Sequence, residues 1–423
     1  MVNWSESMQQ TFEYYIVDPN TWKDKEKLTN VKSCTINRDL ETETLGSATI
    51  DVTESLGECY VRVYLVTIQN GITEKHPLGT FLVQTPSSSH DGKVRNVSMD
   101  AYTPLLELKE NPPPLGYSIL KEANIMDNAY RLTREHARAP VVKTECSETL
   151  FNDFVADTSD TWISFLIDLI ANAKYTYMLD EMGRILFSPK QDTASLQPVY
   201  TYDDSNSSIL YPDISMDHDL YGIPNVVEVV YSVGGDYYCS RVVNDDPNSP
   251  TSTVNRGREI LHRVTNPEFV GTPTSKTSLY YKVNYDSKTD VYKKTNEKIK
   301  SVENGTKVKN VLTDSGNEVY VFTKTSDLTD GTTKDEVVYY CILKESRQIR
   351  EYAEQLLREI STIEYTISYT HGYCPVRIGD CVRLINSRAG LFDVKAKVIS
   401  QSIKCEPGCP VTERAVFTAK LWG

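Results

Sequence analysis

The sequence predicts an α+β protein that is mainly β and divides into several domains. Apolar and polar residues alternate one by one in many short runs, the pattern of strands with one buried face. Helical spacing of apolar residues recurs in only three stretches. A length of 423 residues exceeds what one core serves, so two to four domains are expected.

Residues 1–104 read as β. Ala48, Ile50 and Val52 alternate with Thr49, Asp51 and Thr53, and Val61, Val63 and Leu65 alternate with Arg62 and Tyr64. Asn70-Gly71 is a hairpin-type turn. Further strands pass through Gly79, Phe81 and Val83 and through Val97, Met99 and Ala101. Several short strands at this spacing suggest a sandwich or barrel.

The pattern changes at Pro112-Pro113-Pro114. Helical spacing runs from Ile119 to Ala137 and stops before Pro140. A second helix, capped by Asp157 or Ser159, buries Trp162, Phe165, Leu166, Leu169, Ile170 and Ala173. Tyr175 to Leu179, a turn through Asp180 to Gly183, and Arg184 to Phe187 form a hairpin. Residues 105–200 thus make a small α/β domain.

A polar link, Asp203 to Ser208, leads to a strand from Asn225 to Ser232, and residues 244–257 read as a loop. From 269 to 342 the chain is rich in Lys, Thr and Asp, with strand-like runs Leu279 to Tyr285, Glu318 to Thr323 and Val337 to Leu343. This segment is expected to be an inserted, outward-facing β-subdomain. A helix from Glu345 to Ile360 follows, with Ile349, Tyr352, Leu356 and Ile360 as its stripe. Strict alternation then sets Ile363, Tyr365, Ile367 and Tyr369 on one face, and strands continue past breaks at Pro375, Gly379-Asp380 and Gly390. These elements complete the part begun near 210.

A net charge of −13 argues against a binder that grips nucleic acid through a basic face. The 27 tyrosines against 10 phenylalanines suit half-buried β-surfaces and interfaces, where the ring packs and the hydroxyl stays wet. No apolar run is long enough to span a bilayer. The N-terminus lacks a basic start and an apolar core, so no Sec-type signal is expected and folding is placed in a cytoplasm. Nine cysteines, an odd number scattered through strand-like runs, suit reduced core thiols.

No catalytic constellation emerges. Phosphate-loop, Gly-x-Ser-x-Gly and His-Glu-x-x-His patterns are missing. In Asp217-His218-Asp219 alternation puts the carboxylates on one face and the imidazole on the other, so a solvated loop or interface cluster is expected. Ser88-Ser89-His90-Asp91 reads as a polar hairpin tip, since triads assemble from distant segments. Glu135-His136 reads as a surface pair near a helix end, where a cationic His is favoured. Cys405-x-x-x-Cys409 approaches zinc spacing, but Cys374 and Cys381 are too far apart for a second knuckle. A Cys405–Cys409 clip across Glu406-Pro407-Gly408 is disfavoured in a reducing cytoplasm and becomes an option outside a cell. No metal, cofactor or catalytic residue is expected.

Three stretches resemble the central hub of bacteriophage tail tips and baseplates, a family shared with contractile injection systems. The first is His76-Pro77-Leu78-Gly79-Thr80-Phe81-Leu82-Val83 followed by Asp100-Ala101-Tyr102-Thr103-Pro104-Leu105-Leu106. The second runs from Asp160-Thr161-Trp162 through Asp180-Glu181-Met182-Gly183-Arg184-Ile185. The third is Pro375-Val376-Arg377-Ile378-Gly379-Asp380-Cys381-Val382 with Gly390-Leu391-Phe392-Asp393-Val394. Gly79, Phe81, Tyr102, Gly183, Pro375, Gly379, Asp380 and Gly390 carry the match as structural turns and corners. In the third stretch Gly379 can take φ > 0 and Asp380 can accept backbone N–H bonds. Gly390 ends a loop before Val394, Ala396 and Val398 turn inward. Cys374, Cys381 and residues 269–342 fall outside the hub pattern.

The resemblance implies two tube-like antiparallel β-barrels, 1–104 and 201–268 with 343–423, on either side of the α/β domain. It implies a non-enzymatic homotrimer forming a pseudo-sixfold ring in the virion tail, assembled in the host cytoplasm without a membrane anchor. Such a ring adapts a hexameric tail tube or distal tail protein to a trimeric spike or fibre. Its channel passes tape-measure protein and then DNA, which an acidic wall would repel rather than hold. Two alternatives stand beside it: a receptor- or glycan-binding tail protein acting through 269–342, and a tail-associated cell-wall hydrolase.

Overall fold

The computed structural model describes residues 2–90, 92, 95–191, 193–233, 236–265, 277–300, 302, 305–345 and 347–421. The chain forms two compact units, Met1–Asp217 with Tyr365–Phe417 and His218–Glu364 with Thr418–Gly423. The mainly-β class expected from alternation is what forms, with few helices.

The first unit is built on one large sheet. Its order runs Leu210–His218, Thr362–Gly372, Pro410–Lys420, Leu391–Lys404, Val31–Asp39, Gly46–Val52, Arg95–Tyr102, Ile72–His90, Cys59–Gln69, Gln9–Val17, Asp24–Leu28. Cys381–Asn386 also pairs with Leu391–Lys404, and Pro198–Tyr202 runs parallel to Cys381–Asn386. Two separate closed barrels are therefore a correction. Val31–Asp39 pairs with Leu391–Lys404, so N-terminal and C-terminal strands share one sheet, and among the described residues its strand order is an open path. One continuous hydrogen-bond ladder satisfies strand edges that separate barrels would have to close individually.

Local chemistry accounts for the elements. Gly46–Val52 buries every second residue, Ala48, Ile50 and Val52 among them. Asn70 and Gly71 both take positive φ, +53° and +77°, as a two-residue hairpin between right-twisted strands requires. The first full helix is Ile125–His136, shorter at its start than the periodicity suggested. Glu122 sits at φ +67° and Asn124 caps the helix by accepting from Asp127 N at 2.8 Å, so Ser118–Ile119 is free to pair with Phe154–Val155. The next helix, Trp162–Ala171, is capped by Thr161 through a capping box with Ser164, not by Asp157 or Ser159. Asp157 instead turns the preceding loop, accepting from Ser159 N.

The second unit holds a smaller sheet in the order Leu261–Thr265, Val226–Val233, Asp236–Val243, Thr333–Glu345, Thr277–Asp286, Val291–Ile299. Glu318–Asp327 pairs with Thr333–Glu345, and Thr306–Leu312 lies outside it. Helix Arg347–Ile360 buries Ile349, Ala353 and Leu357 against Val227, Val229 and Tyr238. Tyr352, Leu356 and Ile360 flank that contact, so the buried stripe is rotated from the one expected. The 244–257 loop contains one helical turn, Thr253–Arg256, capped by Ser252. Residues 266–276, the start of the expected insertion, lie outside the described residues.

Candidate functional site

The residues that carried the hub pattern fall in the first unit, at two places where turns dock on the large sheet. The first is the Asp180–Gly183 turn. Asp180 Oδ1 accepts from Met182 N at 3.0 Å and Arg184 N at 2.8 Å, and Gly183 sits at φ +75°. A Cβ on Gly183 would lie 2.7 Å from Thr80 Cβ, so both backbone angle and close approach require glycine.

This turn presents Met182 O to three donors on the sheet: Trp22 Nε1 at 2.7 Å, Thr80 Oγ1 at 3.0 Å and Arg62 Nη2 at 3.2 Å. Arg62 is only 1% exposed. Its charge is met by Asp24 Oδ1 at 2.7 Å, and its Nε donates to Thr80 Oγ1 at 2.8 Å. Asp24 Oδ2 also accepts from the Tyr64 hydroxyl at 2.7 Å; burial, followed by this bond, pushes the Tyr64 phenol up to about 12. Alternation set Arg62 and Tyr64 opposite Val61, Val63 and Leu65; the docked turn covers Arg62, and Tyr15 and Lys75 pack on the Tyr64 ring. Beside it, the register slips so that Val63 faces Gly79 and Tyr64 faces Pro77. The bulged Leu78 offers its carbonyl to Arg38 Nη2 at 2.6 Å. A Cβ on Gly79 would sit 2.5 Å from the buried Phe81 ring. Tyr102 is half-buried at its strand end, in register with Ser47 and Leu82.

The second place lies around Pro375 to Asp380. Pro375 is exposed after the strand ends. Asp380 Oδ2 accepts from Arg377 N at 2.8 Å and Gly379 takes φ +89°. Gly379 N donates to Val398 O at 2.7 Å and Val398 N to Asp380 O at 2.9 Å, which ties the turn to the sheet. Burial pushes the Asp380 carboxyl up, and the Arg377 N–H opposes it. Gly390, at φ +73°, closes the Ser387–Ala389 turn that Asn386 caps.

Beneath this turn is a polar node that sequence reasoning did not single out. His371 and Glu413 are fully buried, with Nε2 and Oε1 3.2 Å apart. His371 Nδ1 lies 2.6 Å from Gly372 O, so both ring nitrogens face acceptors, as an imidazolium requires. Tyr369 donates to Glu413 Oε2 at 2.6 Å, and Gln401 Nε2 donates to Glu413 Oε1 at 2.5 Å and to Val376 O at 2.9 Å. Tyr202 sits 3.0 Å from His371 Nε2 and 3.3 Å from Cys374 Sγ. Burial pulls the His371 pKa down, but Cys374 and Glu413 outweigh it and raise it to about 10. Burial likewise works against the Glu413 charge, and His371, Tyr369 and Gln401 overcome it, holding the carboxyl below its usual range. A signal existed: His371 continues the inward alternation of Ile367 and Tyr369, and Glu413 sits between inward Val411 and Ala415.

The remaining sequence clusters do not assemble. Asp217, His218 and Asp219 are exposed, and Asp219 turns the chain by accepting from Tyr221 N at 2.7 Å. Ser88, Ser89 and His90 form the exposed end of strand Ile72–His90; Asp91 lies outside the described residues. Glu135 pairs with Arg131 at 3.1 Å. His136, however, stacks on Trp162 with ring centroids 4.2 Å apart, and burial lowers its pKa, the reverse of the cationic surface pair expected. The cysteines are free thiols, and among the described residues no three His, Cys, Asp or Glu side chains converge as a metal site.

No protein-family model and no curated protein matches the sequence. Solved structures do. The tail protein from Neisseria meningitidis MC58 is 11% identical, with a TM-score of 0.54 over 96% of this chain and 97% of that one. The 43 kDa tail protein of prophage MuSo2 from Shewanella oneidensis is 10% identical, with a TM-score of 0.52 over 96% and 98%. At such identities the likeness is one of fold, and it spans nearly all of all three chains: this polypeptide has the fold of these two tail proteins.

Proposed function

We propose that the chain is the structural hub of a phage tail tip or baseplate, a non-enzymatic adaptor in the virion tail. The observation that carries this reading is the fold likeness to two tail proteins over nearly the whole length of each. The placement of Gly79 at a tightly packed strand position and of Gly183, Gly379 and Gly390 in left-handed turns adds support, because hub-like sequence and demanding backbone geometry coincide there.

In this reading the strands of 1–104 and the C-terminal strands of 343–423 supply two neighbouring wall segments per copy. Three copies close a pseudo-sixfold ring between a hexameric tail tube or distal tail protein and a trimeric spike or fibre. Tape-measure protein and DNA pass through its channel, and assembly takes place in the host cytoplasm. Native mass measurement of the full chain, alone and mixed with its tail-tube and spike proteins, tests this. A trimer in the mixture is the expected result; a chain that stays monomeric with both partners present sinks it.

One observation favours host-surface binding as a second reading. The second unit has a cleft of about 580 Å³ lined by Lys282, Lys298, Lys300, Lys324 and Phe322, with Glu297 and Glu336. Cations around an aromatic ring suit an anionic glycan. Particles carrying Lys298→Ser and Lys324→Ser that assemble normally but no longer adsorb to cells would favour it; unchanged adsorption would count against it.

A further inference from the structure

Strands Val31–Asp39 and Leu391–Lys404 form the seam between the N-terminal and C-terminal halves of the large sheet. Their register pairs Ile36 with Ile403 and Thr35 with Lys404. It continues one step beyond the strand end, where Cys405 N donates to Cys34 O at 2.9 Å. Cys34 and Cys405 therefore stand opposite one another with side chains on one face. Opposed residues of an antiparallel pair have Cα atoms about 4.5–5.5 Å apart, within the roughly 4.4–6.8 Å that a disulfide spans.

The surroundings separate the roles of the two thiols. Cys34 is buried in a cluster with Tyr14, Ile36 and Cys409, while Cys405 packs at its rim and is half-exposed. The Cys34 thiol is held well above its usual pKa, first by its hydrogen bond to Cys405 and then by burial. Cys409 is the other neighbour of Cys405. It is fully buried, sits at φ +40°, and its N–H donates to Glu406 O at 2.8 Å, so its position is set by the turn and not by a facing strand.

We propose that Cys34 and Cys405 are an oxidation site: they join as a disulfide that staples the seam of the sheet when a low-molecular-weight disulfide such as oxidised glutathione is present. Cys405, the reachable thiol, loses its proton to solvent and its thiolate attacks one sulfur of glutathione disulfide. That S–S bond breaks, and one glutathione leaves with the electron pair and takes up a proton. Cys34 then loses its proton and attacks the Cys405 sulfur, releasing the second glutathione. Two protein thiols are oxidised and one glutathione disulfide is reduced to two glutathiones. This inference does not rest on the tail reading. Under that reading, the seam would be thiol during cytoplasmic assembly and closed once the particle leaves the cell.

The test treats the native full-length chain with oxidised glutathione, blocks free thiols with iodoacetamide, and maps linkages by digestion and fragment mass spectrometry. The expected product links Cys34 to Cys405. It persists in Cys409→Ser and is lost in Cys405→Ser. The thermal midpoint should rise on oxidation and return with dithiothreitol in wild type, but not in Cys405→Ser. A Cys405–Cys409 or Cys34–Cys409 bridge overturns the proposal. Glutathione retained on Cys405 beside an alkylated Cys34 overturns it as well. Because wild-type chain alone decides the linkage, a variant that fails to fold does not spare the idea.

Discussion

The two units place their charged side chains differently. In the first, Arg62, His371, Gln401 and Glu413 lie inside the fold, each charge or amide met by partners from distant parts of the chain. In the second, pairs such as Lys307–Glu318 and Lys293–Asp286 stand in water, and strands like Thr306–Leu312 expose most of their residues. Glu228, held by Arg263 at 2.8 Å, is an exception there, and the uncharged Asn225, Asn244, Ser249 and Thr251 are buried and joined by hydrogen bonds. Apolar packing follows the same division: extended clusters in the first unit, and two small ones in the second. Buried polar nodes are costly to break because the partner left behind cannot reach water. The first unit therefore has the character of a framework pinned by buried charge, and the second rests on its helix contact, a further apolar cluster around Tyr281, Val283 and Cys341, and buried hydrogen bonds between uncharged groups.

The hardest blow to that framework is Glu413→Ala. It leaves the His371 imidazolium buried without its counter-ion, and a loss of about 3–5 kcal/mol is expected in urea unfolding of the first unit. A loss below about 1 kcal/mol would mean the node is solvated and the contrast between units is wrong. The same node sets a pH dependence. The folded pKa of His371 is raised from 6.5 to about 10, so its contribution is full below pH 6.5 and disappears as pH climbs toward 10. Glu413 is depressed below 4.5, so its share holds above pH 4.5 and is lost on acidification. Thermal midpoints measured from pH 6 to 10 should fall in wild type, and His371→Phe should flatten that fall.

Next in size is Leu357→Ala, which empties part of the helix contact with Val227, Val229 and Tyr238. About 2–5 kcal/mol should be lost, and hydrogen exchange should quicken in Val226–Val233 and Asp236–Val243 while Gly46–Val52 keeps its protection. Equal quickening in all three strands would dismiss the picture of two compact units with separate cores.

What the sequence disclosed follows from the range of each interaction. Asn70-Gly71, Gly379-Asp380 and helix Arg347–Ile360 were legible because turn chemistry and helical spacing are local. The Thr161 cap was missed among competing Asp and Ser residues upstream, which turn the loop instead. Burial of Arg62 was not legible, since it depends on a turn 120 residues away. The same holds for His371 and Glu413, where alternation named the inward face but not the partners on it. The continuous seam between Val31–Asp39 and Leu391–Lys404 was hidden for a further reason: strand pairing across the whole chain leaves no periodic trace in either strand.

The smallest effect sharpens the comparison most. Lys307 and Glu318 form an ion pair across neighbouring strands, and it shifts both groups in the stabilising direction, Lys307 up and Glu318 down, through their mutual hydrogen bond. Yet both are fully solvated, so each side chain exchanges its partner for water at little cost, and salt screens the attraction. Lys307→Ala should leave the unfolding midpoint of the second unit unchanged within error, at low and at high salt. A clear loss that vanished on adding salt would show that this strand pair leans on its charge. The second unit would then share with the first a dependence on charged pairs, differing in how deeply they are buried.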